Sequence, residues 1–237
     1  SPNYYPKLSF AHIEYDVDKA NQLLDDAGYT EKDAEGFRLF NDGSGEPVGW
    51  VIESTAQPGT PGEDAILMVI DYLSKVGLQV AVKPVERNLY DEHCRANEID
   101  SGFWGGDRVV VPLADYSLFS GDQRDRPWCP AWSRSALGTD VHEDPPVGHW
   151  INDIHAKFDE ISVTASEEGR NKLFEGIMDI WAEELPMICY VGEWPRPVLT
   201  KNGLRNYVAA PLDDPTGSVC LLNPEQYTWE DPASQSA

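Results

Sequence analysis

The chain has 237 residues, 41% of them hydrophobic, and 41 Asp and Glu against 18 Lys and Arg give it a formal net charge of −23. This size and apolar content are sufficient for a substantial core, and the charge argues against nucleic acid or an anionic membrane surface as a partner. The longest apolar runs are far shorter than the roughly 20 residues that span a bilayer.

The segment YDVDKANQLLDDAGY, residues 15–29, predicts the first helix. Asp16 is a candidate N-cap, and Gly28 supplies a left-handed stop. The apolar positions between them follow the 3.6-residue period: Val17, Ala20, Leu23, Leu24 and Ala27. Neither an initiator Met nor a signal peptide precedes this helix, so we expect the chain to be part of a longer one.

A strand, a helix and a second strand follow within about forty residues. WVIEST at 50–55 predicts the first strand, and LQVAVKPVE at 78–86 alternates as the second. The helix GEDAILMVIDYLSKVG, residues 62–77, has its apolar residues on one face: Ile66, Val69, Ile70, Leu73 and Val76. This order predicts a right-handed crossover unit and a parallel pair of strands in an α/β layer.

The second half of the chain is predicted to be more helical. We expect a helix at 88–97, a short strand in SGFWGG at 101–106, and a long surface loop at 121–148. Two helices follow, at 150–163 and 166–184, and Thr164 with Glu167 has the spacing of a capping box. The apolar stripe of the second consists of Leu173, Phe174, Ile177, Ile180 and Trp181, and Pro186 ends it. Strands are predicted at 187–193 and 198–201, and PASQSA at 232–237 as disordered.

Four widely spaced cysteines, Cys94, Cys129, Cys189 and Cys220, form no CxxC pair, which argues against a zinc ribbon or a thioredoxin-like motif. One or two disulfides and buried free thiols are both compatible with this count. We expect each cysteine to be either bridged or buried.

The order of these segments resembles a known family. YDVDKANQLLDDAGY resembles the Y-D-P-x-K-A-x-x-L-L-x-x-A-G-Y segment of the family 5 extracytoplasmic solute-binding proteins of peptide-type ABC transporters. LSKVGLQVAVKPVE, the aromatic strand SGFWGGD and the helix pair from INDIHAKFDEISV to WAEELPMICYV, with Arg170 between, follow in the same order. The resemblance extends over about residues 12–207.

The resemblance implies a fold and a place in a larger protein. It implies an α/β, type II periplasmic-binding-protein-like lobe, with a central mixed and mostly parallel sheet flanked by helices. Residues 1–195 would form the C-terminal ligand-binding lobe of a two-lobe protein whose N-terminal lobe is missing here. Residues 196–237 would be a tail that returns to that lobe, and the protein would be exported to the periplasm or another extracytoplasmic space.

The resemblance also implies a binding site in FWGGDRVVVPLADYSLF, residues 103–119. Asp107 matches the family's aspartate that pairs with the α-ammonium of a peptide ligand, and Trp104 matches the aromatic residue before it. Gly105 and Gly106 would let the backbone approach the ligand closely. Arg108 departs from the family pattern and could neutralise Asp107, in which case the aspartate is a surface residue.

Other candidate sites have weaker support. Trp104, Trp128, Trp132 and Trp150 lie within 47 residues, and we expect one of them, Trp104, to touch ligand while Trp150 and Trp181 pack between helices. The spacing of His142, His149 and His155 with Asp153 does not place these residues on one helix face, so we predict no metal site. We likewise predict no cofactor and no catalytic residue.

The predicted function is therefore the substrate-binding component of an ABC importer, which captures a peptide in a two-lobe cleft and delivers it to a membrane permease. An oligosaccharide- or opine-binding receptor of the same fold is an alternative. A hydrolase with an unrecognised carboxylate pair and a sensory or chaperone-like domain are others. Turnover of labelled substrates would mark the hydrolase, and a genomic setting without permease and ATPase genes would mark the sensory domain.

Overall fold

The computed structural model of the chain describes residues 4–105, 112–113, 117–122, 127–137, 143–189, 199–207 and 224–231. Within them, three parallel strands form a sheet in the order β2–β1–β3: β1 at Gly49–Ser54, β2 at Gln79–Pro84 and β3 at Ser101–Phe103. The helices around it make this an α/β fold, and the predicted fold class is confirmed.

The predicted crossover unit is observed between β1 and β2. Helix α3 runs from Pro61 to Ser74, is capped by the Thr60 side chain, and joins two strands that pair in parallel from Gly49 with Gln79 to Ser54 with Pro84. Ile66 on its predicted apolar face is buried. The opposite face of α3 leaves Leu67, Met68 and Tyr72 exposed.

The first motif of the family resemblance folds as predicted, although its apolar stripe is only partly covered. Helix α2 runs from Val17 to Asp26, and the Asp16 carboxylate accepts a hydrogen bond from the Lys19 amide at 2.9 Å. Leu23 is 60% exposed. A four-residue helix, α1 at Pro6–Ser9, precedes it and was not predicted.

Arg38 joins α2 to the end of α3 and was missed by the sequence analysis. Its guanidinium is 1% exposed and donates to the Val76 carbonyl at 2.8 Å, to the Tyr29 carbonyl and to the Asn21 side chain, and it pairs with Asp25. The DDAGY end of the motif therefore presents acceptors to a buried arginine, because Gly28, at φ +93°, turns the chain so that the Tyr29 carbonyl faces it. A charge at this depth is tolerated only when it is paired and hydrogen-bonded.

Helix α4, at Arg87–Ala96, confirms the helix predicted at 88–97, and Asn97 ends it in the left-handed conformation. Because α4 follows the carboxyl end of β2 and leads back to the start of β3, it runs antiparallel to the strands. Its N-terminal turn consequently lies at the carboxyl edge of the sheet.

A helical layer follows β3. It contains α5 at Ser117–Ser120, α6 at Pro130–Leu137, α7 at Ile151–Val163 and α8 at Glu167–Glu184. Helices α7 and α8 form the main apolar contact of this layer, with seven side chains buried at helical spacing: Ile154, Phe158, Ile161, Phe174, Ile177, Met178 and Trp181. The predictions of α7 and α8 are confirmed.

Two local predictions in this layer were wrong. The stretch 121–148 was predicted as a loop, but it contains α6, whose first position is Pro130, where the missing N–H of proline does no harm. The cap of α8 is Ser166, whose hydroxyl accepts from the Gly169 amide at 3.1 Å, and not Thr164, whose hydroxyl donates to the Glu160 carbonyl at the end of α7.

The chain divides into two compact units, of which the larger comprises Asn3–Trp104 and Tyr116–Pro186. The smaller contains an antiparallel pair, β4 at Leu204–Arg205 with β5 at Thr228–Trp229. Of the strands predicted at 187–193 and 198–201, the described residues 187–189 and 199–201 are irregular, and the others lie outside the described residues. No helix in the described part of the chain is long and apolar enough to span a bilayer.

The cysteines that the structure describes are free thiols: Cys94 is buried, Cys129 is half-buried and Cys189 is exposed. Burial raises the pKa of the Cys129 thiol to about 12. The expectation that every cysteine is bridged or buried is therefore wrong for Cys189, while Cys220 lies outside the described residues.

Candidate functional site

The carboxyl edge of the parallel sheet is the candidate site, because ligands of open α/β folds bind beyond the carboxyl ends of the strands. Glu53 on β1 is in register with Lys83 on β2 and with Gly102 on β3, so these three residues lie side by side near this edge. Trp104 follows β3 directly.

The buried carboxylate of Glu53 on β1 links β2 and helix α4 at this edge. Glu53 accepts from the Lys83 ammonium at 2.8 Å with one oxygen, and its other oxygen lies 2.7 Å from His93 Nδ1 on α4. Burial raises the pKa of Glu53, but the hydrogen bonds from Lys83 and His93 outweigh that effect and hold the pKa below its ordinary value. We call Glu53, Lys83 and His93 the carboxylate clamp. It fixes α4 against β1 and β2.

Tyr90 holds the indole of Trp104 in place. The Tyr90 side chain is 1% exposed, packs with Val85 and Cys94, and stacks on Trp104 with ring centroids 5.4 Å apart and an interplanar angle of 21°. Gly102 is required beneath it, because a Cβ at this position would lie 2.3 Å from the Tyr90 hydroxyl oxygen.

Arg87, the first residue of α4, lies over the same indole. Its Cζ atom is 4.0 Å from the centroid of the Trp104 ring, within the range of a cation–π interaction. Its Nε atom is 3.0 Å from a carboxylate oxygen of the buried Asp91, one turn later in the helix. The sequence analysis identified Trp104 but missed Arg87, Tyr90 and the clamp. The available signal was the position of Arg87 and Tyr90 just after the carboxyl end of β2.

The remaining tryptophans lie elsewhere. Trp128 stacks on Trp150 at 5.5 Å and meets Trp181 edge-on at 5.8 Å, which confirms that Trp150 and Trp181 pack between helices. Helix α6, which carries Trp132, touches α4 through a 2.7 Å hydrogen bond from Arg134 to the Arg95 carbonyl. Arg95 is near the C-terminal end of α4, about 12 Å from its start at 1.5 Å per residue. Trp104 is the member of the predicted four that directly follows β3.

The histidines considered for a metal site are bound to the protein's own chain. His149 Nδ1 accepts from the Ile151 amide at 3.2 Å, and His155 Nε2 lies 3.2 Å from the Ser120 carbonyl. Among the described residues, no three His, Cys, Asp or Glu side chains are grouped so as to hold a metal ion. His142 lies outside that part of the chain.

The other predicted site residues are described only in part. Gly105 is exposed. Gly106, Asp107 and Arg108 lie outside the described residues, so Asp107 as a ligand anchor remains a prediction.

A parallel sheet with aromatic and charged side chains at its carboxyl edge is typical of α/β lobes that bind small solutes there. The model of the family "Bacterial extracellular solute-binding proteins, family 5 Middle" matches residues 1–125. The chain belongs to this family, and the resemblance recognised in the sequence is confirmed.

Solved structures similar to the chain are also solute-binding proteins. An oligopeptide-binding protein OppA is 28% identical with a TM-score of 0.77, and the match covers 98% of this chain and 38% of that one. AppA from Bacillus subtilis, in complex with a nonapeptide, is 20% identical with a TM-score of 0.57, and the match covers 78% and 33% of the two chains. An oligopeptide-binding protein from Thermotoga maritima with bound mannohexaose is 19% identical with a TM-score of 0.56, with 78% and 32% covered.

The chain therefore spans about 38% of the length of OppA. The two more distant structures show the shared type II periplasmic-binding-protein fold alone. A search of curated protein sequences found no significant match.

Proposed function

We propose that this chain is the C-terminal ligand-binding lobe of a receptor for an ABC importer. In this proposal residues 1–195 form one side of a two-lobe cleft, and residues 196–237 return to an N-terminal lobe. The receptor lies in the periplasm or another extracytoplasmic space, where it delivers a peptide or similar small solute to a membrane permease. The observation that carries the proposal is the indole of Trp104, fixed by Tyr90 and Arg87 at the carboxyl edge of a family 5 lobe.

The carboxylate clamp supports this proposal because it makes the edge rigid. A receptor of this kind works by domain closure and not by bond chemistry, so each lobe must present its contacts on a preformed surface. Hydrogen bonds from two elements to one buried carboxylate, together with the stacked Tyr90, fix α4 relative to the sheet.

We propose that Asp107 is the polar anchor of this half of the cleft, Trp104 its apolar wall, and Gly105 and Gly106 the points of close backbone approach. A carboxylate that meets a ligand ammonium in a closed cleft forms a charge-assisted pair. The proposal rests on the position of Asp107 three residues after Trp104 and on its match to the family's aspartate.

The test is calorimetry of peptide binding by the full-length receptor, comparing the wild type with Asp107→Asn, Trp104→Ala and Trp132→Ala. For a ligand with a free ammonium, we expect Asp107→Asn to cost about 2 to 5 kcal/mol of binding free energy. For an oligosaccharide it should cost about 0.5 to 1.5 kcal/mol, the scale of one hydrogen bond, and Trp104→Ala should be the larger loss. Trp132→Ala, on the helical layer, is the matched control.

Wild-type affinity in both Asp107→Asn and Trp104→Ala, with unchanged thermal stability, would place the site elsewhere. Submicromolar binding by the 237-residue chain alone would contradict the two-lobe arrangement, because a cleft ligand draws contacts from both sides. Each 1.4 kcal/mol of lost contact weakens binding about tenfold.

A further inference from the structure

Helix α3 carries apolar residues on both of its faces. Ile66, on the inner face, is 1% exposed. The outer face carries Leu67, Met68 and Tyr72, which are 47%, 56% and 42% exposed. A surface helix ordinarily sets polar residues opposite its apolar stripe, and a helix that is apolar all round is covered on all sides. The outer face of α3 therefore has the apolar content of a surface that a partner covers.

The exposed side chains form one continuous surface. They line a groove of about 470 Å³ with two carboxylates beside them: Asp64, Leu67, Met68, Asp71 and Tyr72. Tyr15, just before α2, is 68% exposed and meets Tyr72 edge-on with ring centroids 5.2 Å apart. Contiguous apolar surface with a polar rim marks an interaction site, whereas single exposed apolar residues do not. We call these six residues the α3 groove.

The spacing of the α3 groove suits a helical partner. Positions 64, 68 and 72 form one ridge of α3 at i, i+4 spacing, and positions 67, 71 and 75 form the next. A second helix packs its side chains between two such ridges. Methionine adapts its shape to a partner, and tyrosine and methionine are enriched in the cores of protein interfaces.

The charge of the groove selects among partners. The ammonium of Lys75 is paired with Asp71 at 2.7 Å and lies 4.8 Å from the Tyr72 ring, so Asp64 and Asp71 leave the groove net negative. A second copy of the chain carries the same formal charge of −23, and an anionic lipid surface is negative as well, so both are repelled. A cationic protein segment is attracted instead.

We propose that the α3 groove docks a cationic amphipathic helix of a protein partner. The apolar side of that helix lies on Leu67, Met68 and Tyr72, and its Lys or Arg side chains face Asp64 and Asp71. This inference goes beyond the proposed function and uses no residue assigned to solute binding, so either can fail without the other.

Methionine oxidation gives a readout at the groove itself. Met68 is 56% exposed, whereas Met178 on α8 is 3% exposed and serves as the internal control. Hydrogen peroxide should oxidise Met68 of the full-length protein to its sulfoxide and spare Met178, as measured by mass spectrometry. The probe is a leucine–lysine peptide of about 14 residues, four helical turns, with its leucines on one face. This peptide should protect Met68, and the same peptide with Glu in place of Lys should not.

Affinity for the fluorescently labelled probe, measured by anisotropy, tests the residues. The double variant Leu67→Gln with Tyr72→Gln should weaken binding at least about tenfold, because it removes apolar contact. Asp64→Asn should weaken binding at low salt more than at high salt. The controls on α7, Val163→Gln and Asp159→Asn, also replace exposed residues and should change affinity less than about twofold. Circular dichroism verifies folding, and alanine replaces glutamine in the double variant if that variant is unfolded.

Four results would overturn the inference. If Met68 of the free full-length protein resists oxidation, the protein's own chain covers the groove. If probe binding survives the double variant, the attraction is a general one to an acidic protein. Self-association in sedimentation that the double variant abolishes would assign the groove to a second copy, and protection of Met68 by phosphatidylcholine vesicles without protection by the peptide would assign it to a membrane surface.

Discussion

Two arginines of this chain lie in contrasting environments. Arg38 is 1% exposed and directs its guanidinium to the chain's own carbonyls, a side-chain amide and Asp25, so it ties α2 to the turn after α3. Arg87 is 38% exposed and lies on an indole at the carboxyl edge of the sheet. The first completes the fold, and the second belongs to the candidate site.

The comparison shows that the segment that identifies the family differs from the segment that forms the candidate site. The motif at 15–29 identifies the family most clearly, yet its end supplies acceptors for a buried arginine and it touches no part of the carboxyl edge among the contacts described above. Arg87 and Tyr90 belong to a segment with no such motif. A strong sequence pattern can therefore mark a constraint of folding, while the residues that shape the candidate site have a weaker pattern.

Removal of Arg38 should give the largest loss of stability. Arg38→Met leaves the Val76 and Tyr29 carbonyls and the Asn21 amide without their partner in a buried setting, and we expect a loss of about 3 to 5 kcal/mol in the free energy of unfolding. Urea denaturation measures it, with Arg95→Met as the exposed control at less than about 0.5 kcal/mol. Equal stability of the two variants would show that Arg38 is not the structural member of the pair.

The carboxylate clamp should be the next most sensitive feature. Glu53→Gln removes the charge that Lys83 and His93 bind, and we expect a loss of about 1.5 to 3 kcal/mol at neutral pH, the scale of hydrogen bonds to charged groups. The folded-state pKa of Glu53 lies below its ordinary value of 4.5 because those hydrogen bonds outweigh burial. Its stabilisation is therefore complete above pH 4.5 and is lost as pH falls through the folded-state pKa.

Urea denaturation of wild type and Glu53→Gln between pH 3 and pH 7 provides the check. The difference in unfolding free energy should be constant at the upper end of this range and should shrink at the lower end. A difference that grows as the pH falls would show that Glu53 is not stabilised as a carboxylate.

Crowding at the edge should be detectable by substituting Gly102 and, as a comparison away from the edge, Gly176. A Cβ at Gly102 would lie 2.3 Å from the Tyr90 hydroxyl oxygen, so Gly102→Ala should displace Tyr90 and cost about 1 to 3 kcal/mol. Gly176 lies inside α8, where an added Cβ would meet only the flexible end of Lys157 at 3.2 Å. Gly176→Ala should be neutral or stabilise by up to about 1 kcal/mol, and thermal unfolding of the two variants decides.

The cysteines give the smallest effect, a difference in reactivity without a change in stability. A thiol reagent added to the native protein should label Cys189, which is exposed, and spare the buried Cys94 and the Cys129 thiol. Desolvation raises the pKa of the Cys189 thiol, so its labelling should accelerate above neutral pH. Mass spectrometry of the labelled peptides tests this, and rapid labelling of Cys94 would contradict its burial.

Much of the fold was predictable because periodicity reports burial directly. The alternation in β2 and the 3.6-residue stripes of α3 and α8 identified elements that the structure contains. Errors arose where two local signals competed: Ser166 and Thr164 both suit a cap, and the proline-rich stretch that holds α6 resembled a loop because proline also begins helices.

The candidate site was less predictable because its contacts cross the sheet. Glu53, Lys83 and His93 are separated by at least ten residues in sequence and meet only through strand register and the packing of α4. Trp104 was identified by its place after β3, but the aromatic and cationic partners that fix it, Tyr90 and Arg87, come from the preceding helix α4. Tertiary pairing of this kind leaves no periodic trace in the sequence.

The most direct test of the central claim uses the tryptophan indoles as reporters. The receptor is labelled with nitrogen-15 at the indole nitrogens, the signals are assigned by substitution, and a bound peptide identified by calorimetry is titrated into it. The account predicts that the Trp104 signal shifts with the ligand in saturable fashion, while Trp128, Trp150 and Trp181 in the helical layer are unchanged. A shift of those three with no change at Trp104 would contradict a ligand site at the carboxyl edge of the sheet.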